Sequence, residues 1–243
     1  MTERVNRHDA DGLCTLTLNR PEKLNALDTY TFQELNEHID ALEKQTDRIG
    51  CVILRGAGRA FCAGMDLTVV TREVEPPEFK PQVIDRLARL PQPVIGAIHG
   101  ACYTGGLELA LTCDFLLSDP TVRFADTHGK WGLIPTWGMA QRLTRRVGQA
   151  AAKHMMMSSR VVGAAEAGEI GLIDGLAGEG GLDALVASRA EEILANSWHM
   201  NFWTKRMIRE TDGMSIDAAL AYERDNDPGR APDYQQRLDS FRK

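Results

Sequence analysis

The sequence predicts an α/β fold with a mainly parallel sheet, followed by a helical end. Short apolar runs of strand length alternate with segments of helical length through the first two-thirds of the chain, a pattern typical of crossover units. From Trp137 onward the strand signal nearly vanishes. At 243 residues and 43% hydrophobic, the chain is long enough to bury one large core. We expect an α/β core domain over residues 1–180 and a helical region over residues 181–243.

The first elements follow from their periodicity. Residues 13–18 alternate apolar and polar side chains, as a half-buried strand does. Asp28 is a typical N-cap for a helix over residues 29–45. Residues 51–54 are a short apolar run and predict a buried strand. The predicted helix places four apolar side chains on one face: Phe32, Leu35, Ile39 and Leu42.

Two loops follow the strand at residues 51–54. Gly56 and Gly58 resemble the start of a dinucleotide-binding fingerprint, but Phe61 stands where the third glycine is required. This argues against a dinucleotide site. Residues 74–81 contain three prolines among acids, so we expect an irregular, mobile loop that covers another part of the protein. A helix over residues 82–90 leads back to the sheet.

The central stretch of the chain predicts a strand, a tight turn and a helix. Residues 94–98 are apolar, and Gly105 and Gly106 open an apolar segment that carries Glu108. Glycines allow backbone N–H groups to approach a ligand closely, and a helix start favours negative charge. Apolar surroundings raise the pKa of a carboxyl group. The stretch predicts an oxyanion site with an acid or base beside it, although a close-packed turn and a Glu paired with the helix dipole are equally simple explanations.

Residues 94–117 are also long and apolar enough to span a bilayer. His99, Glu108 and Asp114 interrupt the run, and the glycines divide it into a strand and a helix. We therefore expect a buried core and no membrane segment.

Charge and cysteine content exclude several classes of protein. The formal net charge of −6 disfavours nucleic acid and anionic membranes as partners. The five cysteines are scattered and lack a Cys-x-x-Cys pair, which argues against a disulfide framework and against a zinc site. Residues 1–12 lack the apolar core of a signal peptide. We expect a cytoplasmic protein without a metal.

Five motifs in order resemble the enoyl-CoA hydratase/isomerase (crotonase) family. They are residues 19–27 (NRPEKLNAL), 60–67 (AFCAGMDL), 105–110 (GGLELA), 132–135 (GLIP) and 164–173 (AAEAGEIGLI). The resemblance implies a spiral of repeated ββα units with a helical C-terminal region that assembles trimers, often paired into hexamers. It also implies an acyl-CoA thioester as substrate, with coenzyme A entering as part of the substrate and no separate cofactor.

The resemblance also assigns binding residues. Two backbone N–H groups, those of Met65 and Gly105, would bind the thioester oxygen. Candidates for the coenzyme A phosphates are Arg20, Lys23 and Arg59, each of which is equally well explained as a surface charge. The coenzyme A path would be lined by the following residues: Ala26, Leu27, Ala63, Met65, Asp66, Leu67 and Gly105.

Hydratases of this family use two glutamates, and this chain keeps one of them. Glu108 matches the first, whereas His128 stands at the position of the second. His128 can position or activate water near neutral pH, or it is a loop histidine that only packs. Asp126, two residues earlier, is a further candidate to reach the pocket.

Three functions remain open on the sequence. The resemblance favours hydration, or isomerisation of a double bond, with Glu108 as acid and base. A coenzyme A ester binding protein without chemistry is the alternative from another class. Hydrolysis or dehalogenation within the family ranks below isomerisation, because Thr136 stands where some relatives carry a carboxylate. The family's C-terminal coenzyme A contacts cannot be transferred, since residues 225–233 (DNDPGRAPD) depart from its pattern.

Overall fold

The computed structural model describes residues 3–68, 75–178 and 181–241. The strands are β1 (Val5–Ala10), β2 (Leu13–Leu18), β3 (Cys51–Gly56), β4 (Val94–Ile98), β5 (Ala101–Tyr103), β6 (Phe115–Ser118), β7 (Arg123–Ala125), β8 (Val162–Gly163) and β9 (Gly175–Leu176). The helices are α1 (Thr29–Glu43), α2 (Phe79–Ala88), α3 (Gly105–Ala110), α4 (His128–Trp131), α5 (Met139–Ser158), α6 (Ala164–Glu169), α7 (Leu182–Leu194), α8 (Trp198–Glu210), α9 (Ile216–Asp225) and α10 (Tyr234–Phe241).

The strands form two sheets. The larger sheet has the order β1-β2-β3-β4-β6-β9 and is parallel except for the β1–β2 pair. The smaller sheet has the order β5-β7-β8. From β4 to β7 successive strands alternate between the two sheets, and α3 follows β5. This alternation is a ββα spiral, and it confirms the predicted fold class.

The start of α1 shows how local sequence fixes an element. Asp28 lies outside the helix in an extended conformation, and its carboxylate accepts a hydrogen bond from the backbone N–H of Thr31 at 2.9 Å. The hydroxyl of Thr31 lies 3.5 Å from the backbone N–H of Asp28, which completes a capping box. The predicted apolar face is fully buried. The helix ends at Glu43, two residues before the predicted end.

The structure corrects three expectations about secondary structure. Strand β1 has mostly exposed side chains and was not predicted, because its order comes from pairing with β2 rather than from an apolar pattern. Strands β8 and β9 have two residues each, too few for a periodic signal. Helix α2 begins at Phe79 and includes Pro81, since a proline in the first turn costs no internal hydrogen bond. The irregular loop expected over residues 74–81 therefore ends before Phe79. Residue 74 lies outside the described residues.

Helix α7 packs on the chain's own larger sheet. Leu182 and Val186 are buried in a cluster with Ile53, Ile95 and Leu117 from β3, β4 and β6. The resemblance implied that the helical C-terminal region assembles trimers. Leu182 and Val186 of α7 are used for packing inside the chain.

The interior of the central segment agrees with a buried core. Strand β4 is fully buried, and so is every residue of α3. None of the helices in the described ranges is long and apolar enough to cross a bilayer.

We predict that Gly106→Ala lowers the free energy of unfolding. A Cβ atom on Gly106 would lie 2.3 Å from the carbonyl oxygen of Cys62, and such overpacking typically costs about 1–3 kcal/mol. Gly168→Ala in α6 is the matched control, because no heavy atom lies within 4 Å of its added Cβ. The control should be stabilised by about 0.4–1 kcal/mol. Chemical denaturation measures both, and equal stability of the two variants would contradict the prediction.

Candidate active site

The turn before α3 has an unusual backbone. Thr104 has a φ of 51°, a strained conformation for a β-branched residue. Its hydroxyl oxygen lies 2.5 Å from the Thr127 hydroxyl oxygen and accepts the backbone N–H of Thr127 at 3.1 Å. The backbone N–H of Thr104 donates to Ala125 at 2.8 Å. These bonds hold the start of α3 against the segment that follows β7.

Met65 and Gly105 come together as the resemblance implied. Leu27 donates its backbone N–H to Gly64 at 2.8 Å and accepts from the N–H of Asp66 at 2.9 Å, which fixes the strand-like segment around Met65. A Cβ atom on Gly105 would lie 3.5 Å from the Met65 nitrogen. Among the described residues, neither the N–H of Met65 nor that of Gly105 has an acceptor. Two adjacent free donors are what an oxyanion site needs.

Glu108 is 1% exposed. Hydrogen bonds fix one of its two carboxylate oxygens. Its Oε1 accepts the backbone N–H groups of Trp137 at 3.0 Å and of Met139 at 3.2 Å. Burial raises the pKa of the Glu108 carboxyl above its usual value, and His128 and the two N–H groups oppose the rise only in part. The raised pKa suits a group that both takes and gives a proton.

His128 faces Glu108 on one side and Asp126 on the other. Its Nε2 lies 3.8 Å from Glu108 Oε2, and its Nδ1 lies 2.6 Å from Asp126 Oδ1. Burial lowers the pKa of the imidazole, but the hydrogen bond to Asp126 and the charges of both carboxylates outweigh this effect. The net result is a pKa above the usual value for histidine.

These groups line one cavity of about 590 Å³. Six of the predicted site residues line this cavity: Ala63, Met65, Leu67, Gly105, Glu108 and His128. The side of the cavity near α4 is formed by Trp131, Leu133 and Ile134, which are exposed by 62%, 48% and 83%. The cavity is therefore open and largely apolar at that side, which suits an acyl group.

Trp137 is a site residue that the sequence did not indicate. Its backbone N–H binds Glu108, and its ring packs edge-on against Phe32 with centroids 5.0 Å apart. A Cβ atom on Gly105 would lie only 2.6 Å from the Trp137 ring. The ring thus covers the oxyanion turn, and only tertiary packing reveals it.

The remaining binding candidates separate into buried and exposed residues. Arg20 is 7% exposed, and its guanidinium binds Asp66 at 2.9 Å and lies 3.4 Å from Asp28. Arg20 is thus engaged in holding the loop, and the Asp66 side chain is not available to a ligand. Lys23 and Arg59 are exposed. The side chain of Leu27 is buried and that of Ala26 is half-buried. The backbone of Leu27 pairs with that of Met65.

Comparison with known proteins shows the family of this chain. A model of the family described as "Enoyl-CoA hydratase/isomerase" matches residues 8–231. A probable peroxisomal enoyl-CoA hydratase 1 from Arabidopsis thaliana is 33% identical over 243 residues, covering 98% of this chain and 89% of the relative. The 1,2-epoxyphenylacetyl-CoA isomerase of Escherichia coli strain K12 is 32% identical, covering 99% of this chain and 96% of that protein.

Solved structures agree with the fold. The crystal structure of enoyl-CoA hydratase from Bacillus anthracis superposes with a TM-score of 0.91 at 28% identity, covering 98% of this chain and 96% of that one. An enoyl-CoA hydratase/carnitine racemase from Magnetospirillum magneticum gives a TM-score of 0.87 at 30% identity, covering 100% and 93%. With the family match spanning nearly the whole chain, the protein is a crotonase-fold enzyme that belongs to the enoyl-CoA hydratase/isomerase family.

Proposed function

We propose that the protein binds an acyl-CoA thioester and stabilises its enolate, with hydration of a conjugated enoyl-CoA as the main reaction. The observation that carries this proposal is the pair of free N–H groups, of Met65 and Gly105, beside the buried Glu108. In an enolate the thioester oxygen becomes negative. Fixed donors in a site shielded from water stabilise that charge by about 3–4 kcal/mol each.

His128 gives Glu108 a partner for holding water. The 3.8 Å between Glu108 Oε2 and His128 Nε2 is too long for a direct hydrogen bond. A single water placed off the line between them reaches both atoms at about 2.8 Å. In hydration the water oxygen adds to the β-carbon and Glu108 takes a proton from that water. A protonated His128 gives its Nε2 proton to the α-carbon of the enolate. A proton then passes from Glu108 to His128, directly or through a water, and restores both groups.

Isomerisation passes through the same enolate but needs only one proton-transfer group, Glu108. Glu108 removes a proton from one carbon of the acyl chain and returns it to another, so no second acid is needed. The description of the matching family includes isomerases, and the E. coli relative is named as a 1,2-epoxyphenylacetyl-CoA isomerase. Isomerisation is therefore the second candidate.

A panel of thioesters separates the candidates. We expect crotonyl-CoA to lose its conjugated absorbance as it is hydrated. A 3-enoyl-CoA that gains this absorbance without loss of the double bond would favour isomerisation, and release of free thiol would indicate hydrolysis. Tight binding of every thioester with no product from any would contradict enzymatic function and favour the binding protein.

The pH profile of kcat/KM should be bell-shaped. Glu108 must be ionised to accept a proton, and its pKa is raised above 4.5, so activity should rise through a pH above that value. His128 must be protonated to donate, and its pKa is raised above 6.5, so activity should fall only above pH 6.5. Because Glu108 and His128 titrate as a coupled pair, neither limb of the profile reports the pKa of one residue alone. A profile that stays flat from pH 5 to 9 would contradict the assignment of both roles.

We propose a trimer or a pair of trimers in the cytoplasm, with coenzyme A entering only as part of the substrate. Support for assembly comes from α9 and α10, in which no described residue is buried. Ile208 of α8, Ile216 of α9 and Phe241 of α10 are exposed by 70%, 72% and 88%, and burying such apolar surface between chains is favourable. Light scattering at micromolar protein should give at least three times the chain mass. A monomer mass would overturn the proposal.

A further inference from the structure

Asp126 lies behind His128 and not in the cavity. It follows β7 directly and is 1% exposed. Its Oδ1 accepts the His128 backbone N–H at 3.1 Å and lies 2.6 Å from His128 Nδ1. Asp126 does not line the cavity that holds Glu108 and His128. It therefore does not contact a substrate in the cavity directly, and its hydrogen-bonded route to that cavity is the imidazole.

The contact with Asp126 decides which ring nitrogen carries the proton. An ionised carboxylate only accepts hydrogen bonds, so a 2.6 Å contact requires a proton on Nδ1. In the neutral ring the other nitrogen, Nε2, then has a free lone pair. That nitrogen is the one 3.8 Å from Glu108. The ring thus presents Nε2, the nitrogen that can gain or lose a proton, to the cavity.

We propose that Asp126 is the positioning residue that locks His128 in the Nδ1–H tautomer and aims Nε2 at the water site beside Glu108. The catalytic value of this orientation rests on the proposed function, but the orientation itself does not. Among the described residues, the charged groups that face the ring are Asp126 and Glu108. They lie on opposite sides of the ring, so each nitrogen has its own carboxylate.

The bonds between Thr104 and Thr127 make the arrangement rigid. Thr127 lies between Asp126 and His128, and it is bonded through its hydroxyl and its N–H to Thr104. The loop that carries the pair is therefore fixed to the oxyanion turn at Gly105. A rigid support of this kind is what a site needs to hold a ring in one orientation.

A purely structural role for Asp126 makes a different prediction. Its bond to the backbone N–H two residues later also occurs at Asp119, which accepts the N–H of Thr121 at 2.9 Å. Asp119→Asn is thus a matched control that removes the same charge from the same kind of turn without touching a histidine. If Asp126 only shaped its turn, Asp126→Asn would behave like the control.

The test determines by NMR which ring nitrogen of His128 carries the proton. It uses the free protein at a pH where the ring is neutral, for wild type and both variants. We expect the Nδ1–H tautomer in wild type and in Asp119→Asn. In Asp126→Asn we expect a shift toward Nε2–H, because the amide NH2 of Asn, unlike a carboxylate, can donate to an unprotonated Nδ1. A wild-type ring protonated at Nε2 would overturn the proposal without any variant. So would an unchanged tautomer in Asp126→Asn.

Kinetics then separate this inference from the proposed function. Asp126→Asn should lower kcat by about tenfold to a hundredfold with little change in KM, because the loss is of proton transfer. In a His128→Ala background the same change should have no further effect on kcat. An equal loss in both backgrounds would overturn the positioning role. A tautomer shift together with a His128→Ala variant of full activity would support the orientation and contradict the proposed role of His128 in catalysis.

Discussion

Glu108→Gln is expected to lower turnover of enoyl-CoA thioesters by about 10²- to 10⁴-fold, since it removes the group that moves the proton. The fold and the affinity for coenzyme A esters should remain. Gln keeps the size of Glu and an oxygen that accepts the N–H groups of Trp137 and Met139. Steady-state kinetics with crotonyl-CoA measure the loss, and calorimetry measures binding.

Glu191→Gln is the control for this change. Glu191 is exposed on α7, far along the chain from the cavity residues. It should keep wild-type activity. If Glu108→Gln turned over substrate as fast as this control, Glu108 would not be catalytic and the mechanism would be wrong.

His128→Ala is expected to lower kcat for hydration by about a hundredfold with little change in binding, because the enzyme loses the second holder of the water. His154→Ala is the control, since His154 is an exposed histidine on α5. An unchanged kcat in His128→Ala would mean that Glu108 acts alone, as suits isomerisation. Turnover of crotonyl-CoA and of a 3-enoyl-CoA should therefore be compared in both variants.

His128→Glu tests the same position in the opposite direction. It places at residue 128 the second carboxylate that the resemblance implies for a hydratase, and it should support hydration of crotonyl-CoA better than His128→Ala does. By the resemblance, two carboxylates would hold one water in such a hydratase. Hydration no better than that of His128→Ala, in a protein that is folded and binds the ester, would count against hydration as the natural reaction.

Much of the fold could be predicted from local patterns. Strand β2 and the start of α1 follow from alternation and from the Asp28 cap, which act over a few residues. Strand β1 could not be predicted, because it is ordered by pairing with β2. The two-residue strands β8 and β9 likewise depend on partners distant in the sequence, β7 and β6.

The site was predictable as far as single residues, but not their arrangement. Gly105 and Glu108 stand out in an apolar segment, and the family resemblance indicates Met65 and His128. The parallel register of β5 and β7 pairs Tyr103 with Ala125. The chain therefore leaves both strands at the same edge, and this places Asp126 and His128 beside α3.

Trp137 illustrates the limit of local reasoning. Its contribution is a backbone N–H and the position of a ring over Gly105. Neither depends on a motif that the sequence displays. Any residue supplies the N–H, and only the packing of Phe32 and Gly105 around the ring explains why a Trp is there.

The most direct test is a crystal structure of the Glu108→Gln protein with an enoyl-CoA thioester bound. We predict that the thioester oxygen accepts hydrogen bonds from the N–H groups of both Met65 and Gly105, at about 2.7–3.1 Å. The α- and β-carbons should lie beside residue 108 and His128. A thioester oxygen bound outside this pair of N–H groups would contradict the proposed enolate mechanism.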